Sequence, residues 1–190
     1  MPLCLCGEEF RFIVPGSAMN NEATASGFRR RIYTGPLHFA RELWRVARAY
    51  RSVLALSSKA GIPAALRERI MLVVTGVNRC RHCAHGHQFL AQIAGIPKAE
   101  IEELLMLDLA NCPQHEVPAL LFSIYWAESD GEPDATAISA LEAEYGLAFA
   151  RQIETAALLI NVGNRIGNTF DFVLSRLSRG RFGLLAGERR

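Results

Sequence analysis

Strand signals are missing throughout this chain. No stretch sustains a period-two alternation of apolar and polar residues, and valine and isoleucine fall inside patterns of helical spacing. No apolar run approaches the ~20 residues that a membrane-spanning helix needs, so no membrane partner is expected. The N-terminus lacks a basic region followed by an apolar core and a small-residue cleavage site. No signal peptide is therefore expected, and the expected compartment is the cytoplasm. Charge is also limited. The net is only +2, which gives no reason to expect a nucleic-acid partner, and with 50% hydrophobic residues it argues against disorder. Arg29, Arg30 and Arg31 form a short basic run, read here as a solubilising group beside an irregular segment. Cysteine is scarce and odd in number: Cys4, Cys6, Cys80, Cys83 and Cys112. An odd count argues against a secreted disulfide framework and leaves redox or metal chemistry for any close-spaced pair.

What is present is helical text. At 190 residues the chain suits one domain with a sizeable core. Residues 1–36 read as an irregular arm lying over the domain or over a neighbouring subunit, because Gly7, Pro15, Gly16, Asn20, Asn21, Gly27, Gly35 and Pro36 leave only the apolar patch 10–14. Cys4 and Cys6 are too close for an ordinary disulfide and read as incidental thiols. From 37 to 59, Leu37, Ala40, Leu43, Trp44, Ala47, Tyr50, Leu54 and Leu56 recur at largely helical spacing. Gly61 and Pro63 stop that run, and Pro63 can open the next helix, 64–77. Asn78 and Arg79 break it. A further helix covers 80–94 with Gly95 as its cap, and others are expected at 97–107, 116–128 and 134–145. The longest run, 147–177, holds Gly163 and Gly167 as points of bending or close packing. The expectation is an all-α single domain over 37–177, with 178–190 a fraying tail.

The chemistry gathers in residues 68–87. Cys80 and Cys83 form a Cys-x-x-Cys pair, His82 lies between them, His87 follows four residues after Cys83, and Glu68 precedes Cys80 by twelve. At ~100° per residue on a helix, positions 80, 83 and 87 fall within roughly 60° of one another. A thiolate, not a thiol, attacks a peroxide oxygen or a disulfide sulfur. Exposed amides and the dipole at a helix start favour the thiolate. His87 is placed to relay a proton near neutral pH, and Glu68 to orient an imidazole or take a proton through water. The second thiol can condense with a sulfenic acid before over-oxidation.

This pattern of Glu, eleven residues, Cys-x-His-Cys, three residues and His resembles that of the alkyl hydroperoxidase D proteins, within the carboxymuconolactone decarboxylase-like superfamily. Leu66, Arg67, Glu68 and Arg69, which open a helix, and the Ala94-Gly95-Ile96-Pro97 turn are similar too. The resemblance is strongest over 37–107 and looser over Asn161, Val162, Gly163, Asn164 and Arg165. It implies an all-helical homo-oligomer, as a trimer, hexamer or dimer, that reduces small-molecule hydroperoxides as an antioxidant peroxidase and needs no cofactor or metal. An external dithiol or a lipoyl-type protein would be the reductant. By matched position, Cys83 would be the peroxidatic cysteine and Cys80 its disulfide partner and proton donor, with His87, His82 and Glu68 as the proton relay. Helix-start physics by itself favours Cys80 as the more acidic thiol.

Other readings of these residues stay open. The cysteines could be inert core thiols, or could bind zinc with His87 and either His82 or Glu68. A non-catalytic redox sensor, or a cofactor-free lyase of the decarboxylase branch, would use the same fold. His82 could face solvent, and Glu68 could form a surface ion pair with its arginine neighbours. His85 falls off the stripe and is expected to be exposed. His38 and His115 open helical stretches, and Cys112, in a turn-like Asn-Cys-Pro, is a bystander.

Overall fold

The apolar spacing resolves into eight α-helices among the described residues, which in this computed structural model are 28–56, 58 and 61–188. In chain order these are α1 (Pro36–Arg48), α2 (Tyr50–Leu56), α3 (Ala64–Asn78), α4 (Arg81–Ile93), α5 (Lys98–Leu105), α6 (Val117–Glu128), α7 (Ala135–Tyr145) and α8 (Leu147–Leu177), followed by a 3₁₀ turn, Ala186–Glu188. No strand occurs among the described residues. No described helix is long and apolar enough to cross a membrane. Cys4, Cys6 and the patch 10–14 lie outside the described residues.

α3 is at the centre because it is apolar nearly all round. Leu66, Ile70, Leu72, Val73 and Val74 are all buried, and α8, α6, α4 and α5 pack around the helix. α6 adds Ala119, Leu120, Phe122, Trp126 and Ala127 to the same core. Helix ends follow local chemistry. Asp134 caps α7 by accepting from the Ala137 N–H at 2.8 Å, and Gly95, at φ 86°, turns the chain after α4.

Two expectations change. The run 37–59 is not one helix: it breaks at Ala49, whose N–H is shared between the Arg45 and Val46 carbonyls. The break lets α1 and α2 each lie on α8. Moreover, α1 turns much of its apolar text outward, with Leu37 85% and Trp44 65% exposed, while Glu42 is buried. Glu42 is drawn in by Tyr33 at 2.7 Å, Asn161 at 3.1 Å and Arg165 at 3.5 Å, partners that its own helix does not reveal.

Residues 178–188, expected to fray, instead fold back. Arg30 reaches Glu188 at 3.2 Å and Asp171 at 2.6 Å, so the end of the arm and the tail meet on α8. The described end of the arm crosses α8 through Tyr33 N–H to Thr169 at 2.9 Å, and Asn168 donates to the Arg31 carbonyl at 3.1 Å.

A second buried charge group ties α3 to α5 and α6. Arg69 donates to Glu100 at 2.6 Å and to Glu116 at 3.0 Å, with all three side chains about nine-tenths buried. Removing the shared cation leaves two buried carboxylates uncompensated. Arg69→Met is expected to cost about 3–5 kcal/mol, read as a lower denaturation midpoint with urea.

Candidate functional site

α3 and α4 are joined by two residues. Arg79 adopts the left-handed conformation (φ 55°, ψ 39°) and closes α3 through its N–H to the Thr75 carbonyl at 2.7 Å. Cys80 then returns to extended backbone and caps α4: its Sγ accepts from the Cys83 N–H at 3.4 Å. Sulfur takes the position that a serine or aspartate oxygen usually holds, facing the unpaired amides of the first turn.

The second cysteine lies one turn along. Cys80 and Cys83 Sγ atoms are 3.0 Å apart and both thiols are free. Cys80 is 1% exposed and Cys83 is half-buried. The hydrogen bond from Cys83 pulls the Cys80 thiol down to about 6; burial opposes this, and the Cys83 and His82 N–H groups and the His82 charge add to it. Cys83 moves the other way, above the ordinary thiol range, through its bond to Cys80, its burial and the Cys80 charge. The two shifts run in opposite directions, and Cys80 is the more acidic thiol of the pair.

Two acid–imidazole pairs tie α4, the cysteine helix, to its neighbours. On one side, His87 Nδ1 meets Glu68 Oε2 at 2.8 Å, joining α4 to α3. A carboxylate only accepts, so Nδ1 carries the proton and Nε2 is left able to take one. Glu68 is buried and also meets Arg67 at 3.3 Å. On the other side, His82 Nε2 meets Asp171 Oδ1 of α8 at 3.0 Å. No hydrogen bond joins His82 to Glu68 or His87, so the expected three-membered relay is divided into two pairs. Asp171 is fully buried. Burial alone would raise its carboxyl, but hydrogen bonds from Arg30, His82 and Arg81 outweigh that and hold it below the usual range.

α8 also shapes the floor of the site. A Cβ placed on Gly167 would sit 2.8 Å from Cys80 Sγ and 3.5 Å from His82 Cδ2. The sulfur and the imidazole share the space that this glycine leaves open.

Residues 42–128 match the model of the Carboxymuconolactone decarboxylase family. Over this segment the chain is similar to that family. The family takes in the alkyl hydroperoxidase D-like proteins. No curated protein and no solved structure matches the chain significantly.

The matched segment contains Glu68, Cys80, His82, Cys83 and His87, whereas Gly167 and Asp171 lie beyond it on α8. Asp171 was missed because nothing near it in the chain marks it. One signal was available: Asn161, Asn164, Arg165, Asn168 and Asp171 recur at helical spacing and are all buried, a polar stripe facing inward. Of the remaining candidates, His85 is exposed and His115 lies apart on the surface. His38 meets Thr34 and Arg165. Cys112 is buried, and burial, followed by the Glu100 charge, pushes its thiol up to about 11. Among the described residues no group of three or more His, Cys, Asp or Glu is placed to hold a metal ion, so the geometry lends the zinc reading no support.

Two outcomes are expected from this geometry. Thiolate ultraviolet absorbance of the reduced protein should rise as pH increases through about 6, where an ordinary thiol is still only a few per cent ionised at pH 7. That step should vanish in Cys80→Ser. Gly167→Ala should push the Cys80 sulfur off its position at a cost of about 1–3 kcal/mol, with the low titration step moved upward, as the same absorbance measurement would show.

Proposed function

We propose that this protein is a thiol-dependent hydroperoxide reductase whose Cys80–Cys83 pair cycles between dithiol and disulfide. The observation that carries this reading is two free sulfurs 3.0 Å apart at a helix start. Cys83, the less buried sulfur, attacks the terminal peroxide oxygen as its proton passes to the Cys80 thiolate. The O–O bond breaks, Cys83 becomes a sulfenic acid, and the departing alkoxide takes the proton from Cys80 to leave as an alcohol. The regenerated Cys80 thiolate then attacks the Cys83 sulfur and expels hydroxide, which leaves as water with a proton delivered through His87 and Glu68. The peroxide is reduced by two electrons and the dithiol is oxidised to a disulfide. An external dithiol or lipoyl-type carrier restores the thiols by exchange.

The low Cys80 thiol favours a second order of events, in which Cys80 attacks and Cys83 resolves. The name of the matched family favours a different chemistry, a cofactor-free lyase that would not require the thiols. Exposed Trp44, Phe89, Ile93 and Phe170 suit a chain that buries surface against copies of itself.

Consumption of an organic hydroperoxide with a dithiol reductant distinguishes these readings when wild type is run beside Cys80→Ser and Cys83→Ser, with metal content assayed on the same samples. Turnover lost in both variants without bound metal is the expected result. The variant that accumulates a sulfenic acid retains the attacking cysteine. His87→Gln should lower turnover by about a hundred- to ten-thousandfold, the usual worth of a positioned acid–base group. Absence of turnover with one zinc per chain would remove the enzyme reading, and hydroperoxide turnover retained in both variants would remove the dithiol mechanism.

A further inference from the structure

Asp171 lies 91 residues beyond Cys80, outside the matched segment, and yet closes on the first turn of the cysteine helix. Its two oxygens do different things. Oδ2 takes Arg30 at 2.6 Å, which with Glu188 fastens the described end of the arm and the 3₁₀ turn to α8. Oδ1 takes both residues that follow Cys80, Arg81 at 2.7 Å and His82 at 3.0 Å. Fastening the ends of the chain needs only Oδ2, so the grip on the imidazole calls for another explanation.

We propose that Asp171 is a positioning residue for the dithiol, holding the His82 ring by Nε2 so that it stands beside the Cys80 sulfur over Gly167 and stabilises the thiolate. The inference rests on the reading that the cysteine pair is the reacting centre. Its geometry is a chain of three contacts: carboxylate to imidazole at 3.0 Å, and imidazole and sulfur both within 3.5 Å of the point where a Gly167 Cβ would sit. A carboxylate fixes the tautomer, because only a protonated Nε2 can donate to it. It also holds a ring that is otherwise 45% exposed and free to turn away. The ionisable groups around the two side chains are Cys83 and Arg81 on α4, Asp171 on α8, Arg30 with its partner Glu188, and the Glu68–His87 pair. Among the groups bound to Asp171, it is His82 that acts on the Cys80 thiol, through its backbone N–H and its side chain.

The test is a thiolate absorbance titration of the reduced full-length protein in four forms: wild type, His82→Gln, Asp171→Asn and the double variant. His82→Gln and Asp171→Asn should each raise the low midpoint by roughly one unit, the size expected when a nearby opposite charge is lost or displaced. The double variant should rise no further than His82→Gln alone, since both changes act through one ring. A folded Asp171→Asn with an unmoved midpoint, or shifts that add in the double variant, would overturn the proposal. If Asp171→Asn does not fold, nitrogen-15 resonances of the His82 ring in the wild type decide the matter. Nε2 protonated at neutral pH is expected, and a ring protonated only at Nδ1 would refute the idea. Neither readout uses a peroxide. Shifted midpoints in a protein that turns over no hydroperoxide would therefore remove the reductase reading and leave this one standing.

Discussion

A fully buried carboxylate cannot remain unpaired, and Asp171 is that carboxylate here. Taking an ion out of water costs several kcal/mol unless partners replace its hydration. Asp171 finds three: Arg30 from the arm, and Arg81 and His82 from the first turn of α4. Each partner lies in a different part of the sequence from α8. Satisfying one side chain therefore draws the described end of the arm onto the long helix, brings Glu188 in through Arg30 and joins the start of the cysteine helix to α8. The packing of α3 among α4, α5, α6 and α8 supplies most of the apolar burial, and the polar stripe of α8 decides how the pieces around it are registered.

The site inherits its electrostatics from that arrangement. Cys80 is nearly as buried as the core leucines, and burial alone would keep its thiol protonated. It is nevertheless the more acidic of the pair, because Cys83, the first-turn amides and His82 all favour its charge. Gly167 matters for the same reason. A side chain there would occupy the place of the sulfur. The Glu68–His87 pair leaves one imidazole nitrogen able to receive a proton.

Much of this was legible from residue order. The break at Asn78 and Arg79, the cap at Gly95 and the helices from α3 to α8 follow from local propensity and punctuation, and all fall close to their expected places. The five residues of the motif were visible because they lie within twenty positions, where helical geometry fixes who can meet whom. Glu68 and His87 did meet. His82 did not join them, because its partner stands 89 residues away on α8. Apolar residues on α1 suggested a core face that the structure turns to the surface. The deciding contacts belong to Glu42, and its partners Asn161 and Arg165 lie on α8.

The sequence by itself therefore determined the class of fold and which candidate side chains lie close together along the chain, since both depend on short-range periodicity and spacing. Tertiary structure alone decided which imidazole meets which carboxylate, and which sulfur is the more acidic. Those outcomes depend on burial and on charges brought together across the chain. A pattern of residues along one helix does not reveal what the opposing helix will place against it.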